Sequence, residues 1–171
     1  MKGKKLILVG VVVTLLLLTA QLVLADGRGH SGHNPIQRLR AVTARFRSIP
    51  AAQAAGYDLV PGLDHCFDNP GVGGMGYHYI NLDILDLNVD PLRPEAMVYS
   101  TGQNGRLQLG AVEYVVPAAA WDAAGHSEPP QLFGHHFHFN ESLGVYALHA
   151  WIWKHNPAGM FEDWNPNVTC P

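Results

Sequence analysis

Cysteine is nearly absent from this chain. Cys66 and Cys170 are the only two in 171 residues, so one disulfide at most can form and no CxxC pair exists. Basic residues are scarce after the first five positions. From Asp26 onward eight Lys/Arg face 14 Asp/Glu, a net charge of −6 with neutral histidines, which disfavours a nucleic-acid partner. There is no HExxH pair and no internal repeat. The glycines of "GVGGMG" lack the spacing and the following helix of a phosphate-binding loop. No short-spaced HExxH or CxxC pair therefore supports a metal site.

What is present starts with "MKGKKLILVGVVVTLLLLTAQLVLADG". Three lysines, an apolar run and an A-x-A-like close read as a secretory signal peptide over residues 1–25, cut after Ala25. An uncleaved anchor is the competing reading, because the apolar run is nearly long enough to span a bilayer. No cysteine follows the cut, which argues against a lipid anchor. Export would place the protein in the periplasm, in the cell envelope or outside the cell. In such an oxidising compartment Cys66 and Cys170 are expected to bond to each other, tying the C-terminal tail to the early chain. Two thiols ligating a metal is the alternative. All ten histidines lie beyond the cut, and this richness is the main compositional clue.

Residues 26–34 read as a flexible His/Gly-rich leader, and 35–171 as a single globular domain. "NPIQRLRAVTARFRSI" predicts a helix. Asn34 can cap it, Pro35 suits its first position, and Ile36, Leu39, Val42, Phe46 and Ile49 form an apolar stripe. Arg38, Arg40, Arg45 and Arg47 fall on the other side, a basic strip that is most simply a solvated face. "SIPAAQAAG" predicts a second short helix ending at Gly56. From Met75 the period changes to two, with expected strands over 75–81, 96–100, 106–116, 131–139 and 145–153. Asn104-Gly105 marks a hairpin turn between two of them. The expected fold is α+β: two N-terminal helices on a mostly antiparallel sheet, with curling toward a barrel as one form of it.

Three of these strands each carry one ionisable side chain on an otherwise apolar row. His78 falls between Gly76 and Ile80. Glu113 shares a row with Leu107, Leu109, Ala111 and Val115. His149 sits among Val145, Ala147, Trp151 and Trp153. A buried carboxylate needs a proton, a cation or hydrogen-bond donors. Two imidazoles and a carboxylate are a recognised donor set for first-row metals, and they leave positions open for water or substrate. Each group satisfied separately, by a backbone carbonyl or an arginine, is the plainer alternative. "HHFHF" adds His136 and His138, which point together on a continuous strand, with Glu141 close behind. This is similar to the cupin metal signature, but the spacing to Glu141 is short and no second motif follows. Tyr77, Tyr79, Trp151 and Trp153 are the expected pocket wall.

The blocks "GMGYHYIN", "RPEAMVY", "AVEYVVP", "LFG", "LHAWIWKHNPAGMF" and "WNPNVTC" together resemble a group of uncharacterised exported bacterial proteins of similar size. The resemblance covers most of the chain after residue 25 and implies no activity. His78, Glu113 and His149 lie inside its blocks. The expected function is an exported metal-binding protein with a mononuclear centre at those three residues. It is joined, on one reading, by His136 or His138, and is an enzyme if the metal activates water or oxygen. The ion expected is a divalent transition metal, with copper, zinc, iron and manganese not distinguished. The alternatives are a non-enzymatic small-ligand-binding module with a Trp/Tyr-lined pocket, and a structural envelope protein.

Overall fold

The period-two stretches do fold as strands, and their pairing decides what the site contains. The computed structural model describes residues 34–171. The signal segment 1–25 and the leader up to His33 lie outside the described residues.

The first elements are helical. The Asn34 side chain accepts a hydrogen bond from the Ile36 N–H at 3.0 Å, and Pro35 opens α1 (Pro35–Thr43). The expected single helix does not run on to Ile49. It tightens into a 3₁₀ turn at Ala44–Arg47, and α2 (Ile49–Gln53) follows. The basic strip is partly committed to packing. Arg40 Nε donates to the Ile152 carbonyl at 2.7 Å, and the Arg45 and Arg47 guanidinium groups lie over Phe46 and Trp153.

The strands are β1 (Asp58–Leu59), β2 (Phe67–Asn69), β3 (Gly73–Ile80), β4 (Ala96–Thr101) and β5 (Leu107–Pro117). A third helix, α3 (Ala118–Ala123), was not legible in the pattern. Then come β6 (Gln131–Leu132), β7 (His135–His136), β8 (His138–Asn140) and β9 (Val145–Ala150). The main sheet runs β1-β3-β4-β5-β9-β8 with β2 also on β3, and every pairing is antiparallel. The fold is α+β, as expected, but the end strands do not pair, so no closed barrel forms among the described residues. No helix among them is long and apolar enough to cross a membrane.

The two faces of the sheet have different work. One packs on the helices. Tyr79, Met97, Tyr99, Val112, Tyr114 and Leu148 join Leu39, Phe46 and Tyr57 in the main core. Each such side chain contributes roughly 1.5–3 kcal/mol by leaving water. The opposite face carries Ile80 and His78, Ala96 and Val98, Ala111, Glu113 and Val115, and then Ala147 and His149, as the register requires.

One expected row is broken. Val98 pairs with Ala111 but Tyr99 pairs with Leu109, so Gly110 is an extra residue in β5. This bulge sends Leu107 and Leu109 to the helix face with Tyr99, while Ala111, Glu113 and Val115 stay on the other. The Gly110 carbonyl turned out by the bulge accepts from the Trp153 and Lys154 N–H groups at 3.0 and 2.9 Å.

Candidate metal centre

Register brings the three ionisable groups together. Glu113 on β5 pairs directly with His149 on β9. His78 on β3 is separated from β9 by β4 and β5. Three strand spacings of about 4.8 Å make about 14 Å in a flat sheet, more than two imidazoles bridge. Yet His78 Nε2 and His149 Nε2 lie 3.2 Å apart. The sheet is therefore curled, with this face concave. Small side chains allow the crossing: Ala96, Val98 and Ala111 are fully buried between the ligand-bearing rows.

The three groups form a small triangle. His78 Nε2 to Glu113 Oε2 is 3.5 Å, and His149 Nε2 to Glu113 Oε1 is 3.6 Å. Donors about 2.0–2.2 Å from a tetrahedral ion stand about 3.3–3.6 Å from one another. The closest approaches are near that size, the two to Glu113 using different carboxylate oxygens, and with one ligand atom per residue the three lie within 4.8 Å of one another, a group able to hold a metal ion. His149 is 1% exposed, His78 7% and Glu113 12% at the side chain, so water does little to screen them.

Burial sets their protonation. It pushes His78 down to about 3, helped by the positive field of His149, so this ring is neutral at ordinary pH. Burial raises the Glu113 carboxyl, although His149 opposes it. For His149 burial acts downward, but the Glu113 and Asp163 carboxylates outweigh it and hold the ring above its usual value. Nδ1 of His78 has no hydrogen-bond partner among the described residues. The Gly76 carbonyl favours a proton on that ring without making a bond of acceptable geometry.

A fourth group completes the arrangement. His149 Nδ1–H donates to Asp163 Oδ1 at 3.2 Å, and His138 Nδ1–H donates to Asp163 Oδ2 at 2.9 Å. Accepting these bonds outweighs burial and holds the Asp163 carboxyl below its usual value. A carboxylate on Nδ1 holds the His149 ring with Nε2 facing the triangle, the orientation that carboxylates behind metal-bound histidines give. With a divalent cation bound, His149 would release its second proton, and the two carboxylates and two neutral imidazoles would carry two negative charges for the ion to balance.

Asp163 is held by a tail without regular structure. The carbonyls on either side of it are anchored. Glu162 C=O accepts from Trp151 Nε1 at 2.7 Å, and Trp164 C=O accepts from Asn156 Nδ2 at 3.1 Å. Asn165, fully buried, donates to the His155 carbonyl and bridges to Gly74 on β3. Cys170 is bonded to Cys66 just before β2. That bond is compatible with export.

All four groups border a cavity of about 450 Å³ on the concave face, lined also by Phe67, Met75, Val115, Leu143, Val145 and Trp164. Three protein donors beside open space match a site with a free coordination position, unlike the closed four-ligand sites that only hold structure.

Several expected residues are placed elsewhere. His136 pairs with Gln131 in the separate β6–β7 hairpin and is exposed. Phe133 and Gly134, both at positive φ, make a two-residue turn there, so 131–139 is not one strand and His136 and His138 are not a ligand pair. His138 borders the cavity but reaches the triangle only through Asp163. Tyr77 and Tyr79 flank His78 in β3 and so point to the opposite face, where Tyr79 packs edge-on against Tyr99. β9 ends at Ala150, so the row does not extend to Trp153, whose Nε1 donates to Thr43 Oγ1 at 3.2 Å by α1. Trp151 packs with Val98, Ala111 and Val168 beside His149. None of these four aromatics lines the cavity. Asp163 had no signal in the sequence beyond its proximity to the tied tail.

Fold and site together define an α+β protein with a curled antiparallel sheet and a buried His/His/Glu cluster able to hold a metal ion. Comparison with family models, with curated proteins and with solved structures finds no match.

Proposed function

We propose that this is an exported metal-binding protein whose mononuclear centre is His78, Glu113 and His149, with an open position facing the cavity. The observation that carries the reading is the donor triangle, with one ligand atom from each residue within 4.8 Å of the others, bordering that cavity. A divalent ion held there would supply Lewis acidity and lower the pKa of a bound water. His78 and His149 would present neutral nitrogen donors and Glu113 the anionic oxygen. Asp163 would orient His149, and His138 would connect Asp163 to solvent. Imidazole and carboxylate suit iron, zinc, copper and manganese alike.

The second reading is a metal-free binding module in which the same groups are fixed hydrogen-bonding partners. The largely apolar cavity supports it, although aliphatic residues with Phe67, Phe139 and Trp164 form that wall in place of the expected Trp/Tyr set.

Elemental analysis of protein purified without a histidine tag, followed by melting curves with and without EDTA, separates the two. Under the metal reading, wild type carries about one equivalent and EDTA lowers its Tm. Glu113→Gln stays folded, carries much less metal and responds little to the chelator. If the chelator shifts neither protein and no metal is found, the metal reading is wrong.

A further inference from the structure

The composition of the cavity specifies what enters it. Of its 20 lining residues 13 are apolar, and the polar seven include the donor triangle with Asp163 and His138. The remaining polar pair is Asn140 and Glu141, next to Phe139 and Leu143. The apolar character continues to the mouth. Leu82 and Phe139 are each 58% exposed and Leu143 is 47% exposed, and all three line the cavity. Large apolar side chains left in water around a concave site mark a place where apolar surface is received.

Charge narrows the class further. Glu113, Asp163 and Glu141 all border the cavity, while no lysine or arginine among the described residues does. An anionic ligand would meet carboxylates without a cationic side chain to offset them. The size limits it too. A cavity of about 150 Å³ takes one benzene, so about 450 Å³ suits a molecule of roughly 15–18 heavy atoms.

We propose that the cavity receives a compact, neutral, predominantly apolar organic molecule, whose single nitrogen or oxygen head meets the His78/Glu113/His149 centre while its body lies against Phe67, Val115, Leu143 and Val145. The position of the head rests on the metal-centre reading; the apolar body does not.

The test uses two probes that share a head and differ in body, imidazole and 4-phenylimidazole. The protein is the full exported chain loaded with cobalt(II), whose visible spectrum reports a new nitrogen ligand. 4-Phenylimidazole is expected to bind at least tenfold more tightly than imidazole. Leu143→Asp, at a half-exposed position that tolerates charge, should remove most of that difference and leave imidazole unchanged. Equal affinities for the two probes in wild type would overturn the proposal while leaving the metal centre intact. If cobalt does not bind at all, the metal reading fails and the cavity is tested alone by titrating EDTA-treated protein with 2-naphthol, followed by fluorescence. Saturable binding weakened several-fold by Leu143→Asp would support an apolar ligand site, and no binding would overturn it.

Discussion

Asp163 touches no atom of the donor triangle except through His149, yet it decides how that ring presents itself. With Asp163 accepting from Nδ1, Nε2 is the nitrogen turned to the centre. Asp163→Asn keeps the shape but removes the charge, and its amide can turn a donor toward the ring. Metal affinity should fall about 10–100-fold, read by competition with a chromophoric chelator, with Tm in EDTA nearly unchanged. An unaltered affinity would leave Asp163 as a tail anchor only. Glu95 shows a carboxylate with a different role. It is 3% exposed, and its Oε2 accepts the Val115 N–H at 3.0 Å. Burial raises its pKa from 4.5 to about 7, with that N–H partly offsetting the effect. Between those values the folded state holds a proton that the unfolded chain has released. Stability from this group is therefore lost as pH rises through the window, by at most about 3 kcal/mol. Glu95→Gln should flatten the fall in urea-unfolding free energy between pH 5 and pH 8; a variant with the wild-type slope would rule Glu95 out as its source. His78, Glu113 and His149 were legible in the sequence because a charge in a period-two apolar row contradicts the pattern around it. Asp163 and Glu95 were not, since neither lies in such a row.

At the scale of elements, the centre depends on glycines that let the sheet bend. Gly76 sits in β3 two residues before His78 with φ +108, and a Cβ there would collide with the Tyr99 carbonyl oxygen across the strand pair. Gly76→Ala should destabilise the protein by about 2–4 kcal/mol through strain and clash together, seen as a lower urea midpoint. A midpoint within error of wild type would mean that the strands shift easily at this position. The strands β3, β4 and β5 were readable within a residue or two because their alternation is long. The bulge at Gly110 was not, because Leu107 and Leu109 remain apolar whichever face they take, so the pattern looks unbroken. The region 131–139 was misread for the opposite reason. Its histidines and phenylalanines alternate well enough for a strand, while the reversal rests on the conformation of Phe133 and Gly134, and only the second of these is a residue that favours it.

For the whole molecule, the bond between Cys66 and Cys170 closes a loop with a separation of 104 residues. Loop-closure entropy for a span of that size corresponds to about 4–5 kcal/mol. Reduction should lower the unfolding free energy by about that much in a denaturant titration with and without reductant. A change below 1 kcal/mol would show that the tail hydrogen bonds hold the C-terminus unaided. The separation of the donors has a consequence for the order of events as the chain folds. His78 and His149 are 71 residues apart, on strands that meet only when the sheet between them is complete, and Asp163 arrives with the tail that docks against β3. No short segment holds two of these three donors, so a nascent or half-folded chain does not offer an ion this centre. Contacts so distant in sequence form slowly and late. Binding energy from an ion at this centre would then reach only the finished molecule, and an ion captured there would be drawn from whatever surrounds the protein at the moment the last strand seats.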